Sequence, residues 1–417
     1  TVGTSSAHWL SEIMSGFGLE ENHVDHQDYG LLDGADQKES SVNKTAIYSV
    51  VSVGVGSLVT CAVCTVIVLA CLILVVAFVT LPHTLCTAQN SSAKKSFSLD
   101  APSPTVGRNF NLKVDAGNIY VNFSTSVTSA ELKIVKYALT DQLASISDSD
   151  YQLSDYKGQV NLVIASQVRA WYQPPSPSNL LCESRFEIQV SLPVDWRDVV
   201  ALNLVSRQGD IYVNGASNAS ISELNAETSA GNIHIACEGS CDMPLNVDGS
   251  PHLSTRSGNV TVHDVNVGGS FMTVNVQTGY VNMTNMLFVS DLSYSPGPVL
   301  SVDGELLTVN ISDVNKASMS VNVGRGDINL FVKSNAVKDG YFNGRFDIKS
   351  GNGNVHIAGN DYTTDSKTDS RITGYIKSDA EGDGNMFAVL YTGNGDVSVK
   401  VDNPTAGASS LAQTFWL

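Results

Sequence analysis

Two hydrophobic patterns divide this chain. The first is unbroken. No charged residue occurs from Thr45 to Leu81, and the densest part, Leu58 to Leu81, reads LVTCAVCTVIVLACLILVVAFVTL. A bilayer needs about 20 apolar helical residues, so the run predicts one spanning helix within residues 45–82, stopped by Pro82. The second pattern alternates. Between residues 106 and 402, short apolar–polar–apolar segments recur after Gly followed by Asn or Asp. That is the period of half-buried strands separated by turns. The chain therefore predicts a mainly β protein with one N-terminal transmembrane α-helix.

The alternating segments share a phrase of Gly, Asn or Asp, a β-branched residue, a polar or aromatic residue, and an aliphatic. It stands at Gly117-Asn118-Ile119-Tyr120-Val121 and Gly209-Asp210-Ile211-Tyr212-Val213. It returns with Gly231, Gly258, Gly326, Gly353 and Gly395, and more loosely with Gly279. Gly304 and Gly374 fall where degenerate copies are expected. Gly and Asn or Asp tolerate positive φ and supply the turn. Ile119, Val121, Ile211 and Val213 then point inward, and Tyr120 and Tyr212 outward. A strand this short cannot bury its apolar face alone, whereas stacked copies at a spacing of about 21–27 residues build a continuous core. The expected fold is a β-solenoid.

The phrase Ser-x-x-Gly-Asp/Asn-Ile/Val-x-Val, read at Ser206–Val213 and Ser229–Ile235, resembles the putative-adhesin, or toast-rack, β-repeat domains. The resemblance covers about residues 106–402. It implies a single-stranded, right-handed solenoid-like fold found at cell surfaces, and brings no catalytic residues with it.

The organisation that follows is an acidic flexible tail (1–44), the span (45–82), a Ser-, Ala- and Pro-containing linker (83–105), the repeat ectodomain (106–402) and a C-terminal tail (403–417). The ectodomain carries an insertion at about 124–204, read as longer strands forming a flap over one solenoid end. Positive charges near the span tie, with Lys38 and Lys44 before it and Lys94 and Lys95 after it. Glycosylation sequons at Asn90, Asn122, Asn218, Asn259, Asn282 and Asn310 all lie beyond the span. They favour a cytoplasmic N-terminus and an extracellular or lumenal repeat domain.

Composition narrows the chemistry. With 24 Lys and Arg against 41 Asp and Glu, the net charge is -17, which opposes nucleic acid and anionic lipid headgroups. Cys237 and Cys241 flank three residues and could close a tight disulfide loop suited to an oxidising compartment. Tyr29-Gly30-Leu31-Leu32 matches the Tyr-x-x-apolar sorting pattern through Tyr29 and Leu32. Asp210, Asp327 and Asp396 share one phase of the repeat with Asn118, Asn232, Asn259 and Asn354, so the position asks for a turn-former and not for a charge. Arg325-Gly326-Asp327 coincides with the same turn. His234 and His356 share a phase, but a metal pair would need them adjacent. No catalytic motif, metal cluster or cofactor loop is present. The reading is a single-pass, membrane-anchored glycoprotein, not an enzyme. It would work in adhesion or extracellular assembly through other proteins or copies of itself. One alternative is a carbohydrate-binding or carbohydrate-active β-helix using Tyr120 and Tyr212 as glycan platforms. The other is a trafficking receptor.

Overall fold

The computed structural model describes residues 68–69, 91–99, 107–138, 145–164, 185–196, 200–217, 219–237, 243–289, 297–333, 344–359, 362–376 and 386–402. The chain divides into two compact units, Thr1–Leu74 and Val75–Leu417. In the first, Val68 and Leu69 are described, and both are helical. The rest of the predicted span and the tail with Tyr29 and Leu32 lie outside the described residues. Among those described, no helix is long and apolar enough to cross a membrane.

Among the described residues of the second unit, 24 strands form one hydrogen-bonded sheet. In chain order they are β1 (Ser91–Leu99), β2 (Arg108–Ser124), β3 (Ala130–Ala138), β4 (Gln152–Tyr156), β5 (Gln159–Ile164), β6 (Arg185–Pro193), β7 (Val200–Gln208) and β8 (Ile211–Gly215). There follow β9 (Ser220–Ile221), β10 (Glu223–Ala230), β11 (Ile233–Cys237), β12 (Leu245–Val247), β13 (His252–Ser257), β14 (Val260–Val267), β15 (Phe271–Phe288) and β16 (Val299–Asn315). The last are β17 (Ser318–Arg325), β18 (Ile328–Lys333), β19 (Gly344–Asn352), β20 (Val355–Gly359), β21 (Tyr362–Lys367), β22 (Arg371–Ile376), β23 (Met386–Asn394) and β24 (Val397–Asp402).

A typical rung is a strand before the Gly corner and a strand after it; in β2, β15 and β16 one strand runs through. Rungs pair in parallel in the order β5/β6, β2, β7/β8, β10/β11, β13/β14, β15, β16, β17/β18, β23/β24, β19/β20. The register aligns one inward column: Ile188, Ile119, Ile211, Ile233, Val260, Val281, Val309, Ile328, Val397 and Val355. All are buried, and each such side chain contributes about 1.5–3 kcal/mol on leaving water. A third arm, β9, β12 and the far ends of β14 and β15, extends the middle rungs.

Rung order is not chain order at either end, because β2 lies between β5/β6 and β7/β8, and β23/β24 lies between β17/β18 and β19/β20. Two expected corners are corrected. Gly304 pairs with Val276, and the residue opposite Gly279 is Leu307, so the degenerate corner is Leu307-Thr308-Val309. Gly374 sits in β22, antiparallel to β19, and forms no rung corner.

The insertion does more than cover an end. It supplies the end rung itself, β5 and β6, closed by antiparallel β4 on β5, β3 on β6 and β1 on β3. The opposite end is closed by antiparallel β22 and β21. The outer strands carry Lys94 and Lys95 on β1, Asp155 on β4, and Asp365 and Lys367 on β21. Such charges oppose the addition of a further strand.

Candidate functional site

The Gly corner is held by two hydrogen-bond ladders. In the first, a side-chain Oδ1 accepts the backbone N–H at the same phase of the next rung. Asn118 accepts from Asp210 at 2.9 Å, Asp210 from Asn232 at 2.7 Å, Asn232 from Asn259 at 3.0 Å and Asn259 from Tyr280 at 3.1 Å. Asp327 accepts from Asp396 at 2.9 Å, and Asp396 from Asn354 at 2.7 Å. Asn and Asp both offer Oδ1 on the same short stem, which explains why they alternate here. In the second ladder a hydroxyl three residues before the glycine donates to a corner-glycine carbonyl on the neighbouring rung. Ser206 reaches Gly117, Thr228 reaches Gly209 and Thr255 reaches Gly231, at 2.9–3.0 Å. The second copy of the motif therefore starts at Thr228 and not at Ser229.

Steric demand adds to this. A Cβ on Gly209 would lie 2.0 Å from the carbonyl oxygen of Gly117, and Gly209 has φ +150°. Gly231, Gly258, Gly279, Gly395 and Gly353 meet the preceding corner glycine's carbonyl in the same way, whereas Gly117 meets Phe186 and Gly326 meets Leu307.

A second corner carries no glycine. Asp264, Asn285 and Asp313 have φ of 52–55° and stack between the second and third arms. Beside it His263 Nδ1 contacts the Thr284 hydroxyl, and its Nε2 lies 2.8 Å from Asp264 Oδ2. This Thr–His–Asp contact sits on an exposed corner, outside the groove described next, and Asp264 Oδ1 is also engaged by the amide of Asn285. It is corner hydrogen bonding.

The face before the Gly corner forms an open groove of about 830 Å³. It crosses β2, β7, β10, β13, β15 and β16. Lys113 and Asp115 of β2, Arg207 of β7, Glu227 of β10, Arg256 of β13, and Asp303 and Glu305 of β16 place charges of both signs along it. The lining has no aromatic ring, His or Cys. The lining is polar and charged, unlike the mostly apolar lining of pockets that enclose small molecules.

The Toastrack DUF4097 family model matches residues 179–414, more than half of the 417-residue chain. The chain belongs to the Toastrack DUF4097 family. No curated protein matches it. Among solved structures, a putative adhesin from Bacteroides fragilis is 12% identical, covering 75% of this chain and 97% of its own, with TM-score 0.36. A putative lipid binding protein from Parabacteroides distasonis is 10% identical, covering 74% and 98%, with TM-score 0.35. A putative cell adhesion protein from Clostridium sporogenes is 12% identical, covering 75% and 100%, with TM-score 0.19. Likenesses this distant carry no functional weight.

The toastrack register places the remaining candidates. Tyr120 and Tyr212 face each other across neighbouring rungs, with ring centroids 4.9 Å apart and planes 3° from parallel, and His234 follows at 6.1 Å. Stacked this way, each tyrosine turns one face to the other. Beyond His234 the outward column runs Thr261, Asn282, Asn310, Asn329, Ser398 and His356. His234 and His356 are thus far apart, and no group of three or more metal-type ligands occurs among the described residues. In Arg325-Gly326-Asp327, Gly326 is a corner with φ +135°, and Asp327 serves the Oδ1 ladder.

Of the sequon residues, Asn122 and Asn310 are half-buried on outward positions, and each side-chain oxygen accepts a neighbouring Asn amide at 2.9–3.0 Å. Asn282 is half-buried on the same column and Asn259 is at the Gly corner. Asn90 and Asn218 lie outside the described residues. Cys237 is buried at the end of β11 and disulfide-bonded; Cys241 lies outside the described residues. At the capped end, the Tyr137 hydroxyl donates to Glu187 Oε2 at 2.8 Å. Burial first, then this bond to the carboxylate, pushes its pKa up to about 12.

Proposed function

We propose that this toastrack protein is a membrane-anchored surface or lumenal glycoprotein whose rung domain is non-catalytic and acts in adhesion or extracellular structural assembly. The observation that carries the reading is the groove before the Gly corner. Its charges of both signs are spread over several rungs and present an extended polar surface suited to a protein partner. The polar side chains at the Gly corner hold rungs together and do not converge on a reacting atom. The unbroken apolar run at 45–82 supports anchoring. The sequon asparagines Asn122, Asn259 and Asn310 support glycosylation, since each serves its ladder through Oδ1 and a glycan would occupy Nδ2. Localisation at the cell surface or in an endomembrane lumen follows from this reading.

The test uses cells displaying the full chain. They should aggregate, or bind a partner cell layer, and the double variant Arg207→Glu with Arg256→Glu should lose this at equal surface level. Equal adhesion by empty cells and by cells displaying either form would contradict the proposal.

A further inference from the structure

Asn-Gly dipeptides stand in the chain at Asn214, Asn343, Asn352 and Asn394. Asn343 lies outside the described residues. The other three differ in how their peptide groups are held. Gly215 is buried in β8 opposite Cys237 of β11, and the Asn214 side-chain amide donates to Asn122 Oδ1 at 2.9 Å. The Asn394-Gly395 peptide is tied on both sides. Its carbonyl, on Asn394, accepts Gly326 N–H at 2.7 Å, and Gly395 N–H donates to the Asn352 carbonyl at 3.1 Å. The Asn352-Gly353 peptide is tied on one side. Its carbonyl takes that Gly395 N–H, but β19/β20 is the last parallel rung, so Gly353 has no further rung to donate to.

The capping strand does not replace the missing rung at this point. β22 pairs with β19 as far as Lys349. The turn before β22 then takes Ser350 N–H on the Ser370 carbonyl at 2.9 Å and Val355 N–H on the Asp369 carbonyl at 3.2 Å. Between them, Gly353 N–H meets no acceptor among the described residues. Asn352 and Gly353 are both exposed. Asn352 thus combines an open side chain, a following residue with no Cβ to shield the backbone, and a following amide nitrogen held in no ladder.

We infer that Asn352 is a site of spontaneous deamidation, and that the isoaspartate formed there uncouples β20 from β24. The Gly353 nitrogen, on giving its proton to water, attacks the Asn352 side-chain carbonyl carbon. The new C–N bond closes a succinimide, and the side-chain nitrogen leaves as ammonia. Water then opens the ring at either carbonyl, leaving Asp or an isoaspartyl link that adds a methylene to the backbone. In the isoaspartyl form the former main-chain carbonyl of Asn352, the acceptor of Gly395 N–H, becomes a free carboxylate. The added methylene falls inside the corner. Before it, Ser350 Oγ donates to the Gly395 carbonyl at 2.8 Å; after it, Asn354 N–H donates to Asp396 Oδ1 at 2.7 Å. A longer chain cannot hold both in register, and among the described strands β20 pairs with β24 alone. The inference rests on strand register and hydrogen bonding and stands apart from the adhesive reading.

The full-length chain is aged at neutral pH and physiological temperature, folded and in urea, and its tryptic peptides are followed by mass spectrometry. In urea, Asn214, Asn352 and Asn394 should react at similar rates, because each precedes glycine. In the folded protein Asn352 should keep most of that rate. Asn214 and Asn394 should fall at least about tenfold behind it, since a bonded amide must open before it reacts. Aged protein should also lose hydrogen-exchange protection over Val355–Gly359. Freshly prepared Asn352→Asp, which adds the charge without lengthening the backbone, should keep that protection. Aged Asn352→Gln, whose longer side chain resists ring closure, should keep it too. Equal rates at Asn352 and Asn394 in the folded protein would overturn the site. Undiminished protection of β20 in protein carrying isoaspartate at 352 would overturn the uncoupling.

Discussion

Asp210 Oδ1 accepts the backbone N–H of Asn232 at 2.7 Å, joining two rungs 22 residues apart through a single side-chain oxygen. The oxygen matters there and the charge does not. Asp210→Asn should keep the native melting temperature, whereas Asp210→Ala should cost about 1–2 kcal/mol by stranding a backbone donor at the corner. Urea unfolding of both variants checks this. Equal loss in both would mean that the carboxylate charge is what counts.

The same ladder occupies the carboxylates of Asp327 and Asp396 in rung-to-rung bonds. Removal of divalent cations with a chelator should leave the thermal midpoint unchanged. A fall on chelation, restored by calcium, would show that these aspartates coordinate an ion instead.

The corner glycines differ in how tightly they are packed. At Gly209 an added methyl would meet the Gly117 carbonyl oxygen at 2.0 Å, and the backbone is already at φ +150°. Gly209→Ala should cost at least about 3 kcal/mol, since it combines strain with displacement of a neighbouring backbone. Gly324→Ala, whose nearest neighbour would be the Glu305 carbonyl oxygen at 2.9 Å, should cost less. Parallel denaturation curves decide the order.

Tyr137 gives a pH signature. Its folded pKa of about 12 stands above the ordinary value of 10, so the folded state holds the proton longer than the unfolded chain does. The resulting stabilisation is complete below about pH 10 and is lost as pH rises towards about 12. Tyr137→Phe should flatten the alkaline decline in stability over that window and leave the neutral and acid limbs unchanged. An unaltered alkaline limb would count against the Glu187 contact.

How much of this could be read from residues follows from how local each feature is. The Gly-Asn/Asp corner and the in–out alternation around Ile211 and Ile233 are written within five residues, so both were legible. Rung order was not. The phrases at Gly326, Gly353 and Gly395 are interchangeable, and nothing in them says that Gly395 comes between the other two. The rung through Leu307 escaped because its corner lacks the marker glycine. The second corner escaped because Asp264, Asn285 and Asp313 look like ordinary strand residues until their positive φ is seen. The hydroxyl ladder was misphased by one residue, Ser229 for Thr228, because both residue types satisfy a loose motif. The polar groove had no sequence signature, since it forms only when Arg207, Arg256 and Glu305 are stacked from separate rungs.

The central claim is that the toastrack domain faces away from the cytosol as a glycosylated, membrane-anchored surface. Its most direct test is peptide N-glycanase treatment of the native protein, followed by electrophoresis. The account predicts a downward shift of several glycans, reduced stepwise by Asn122→Gln, Asn282→Gln and Asn310→Gln. An unshifted band, together with a repeat domain digested by protease added from the cytosolic side, would contradict it.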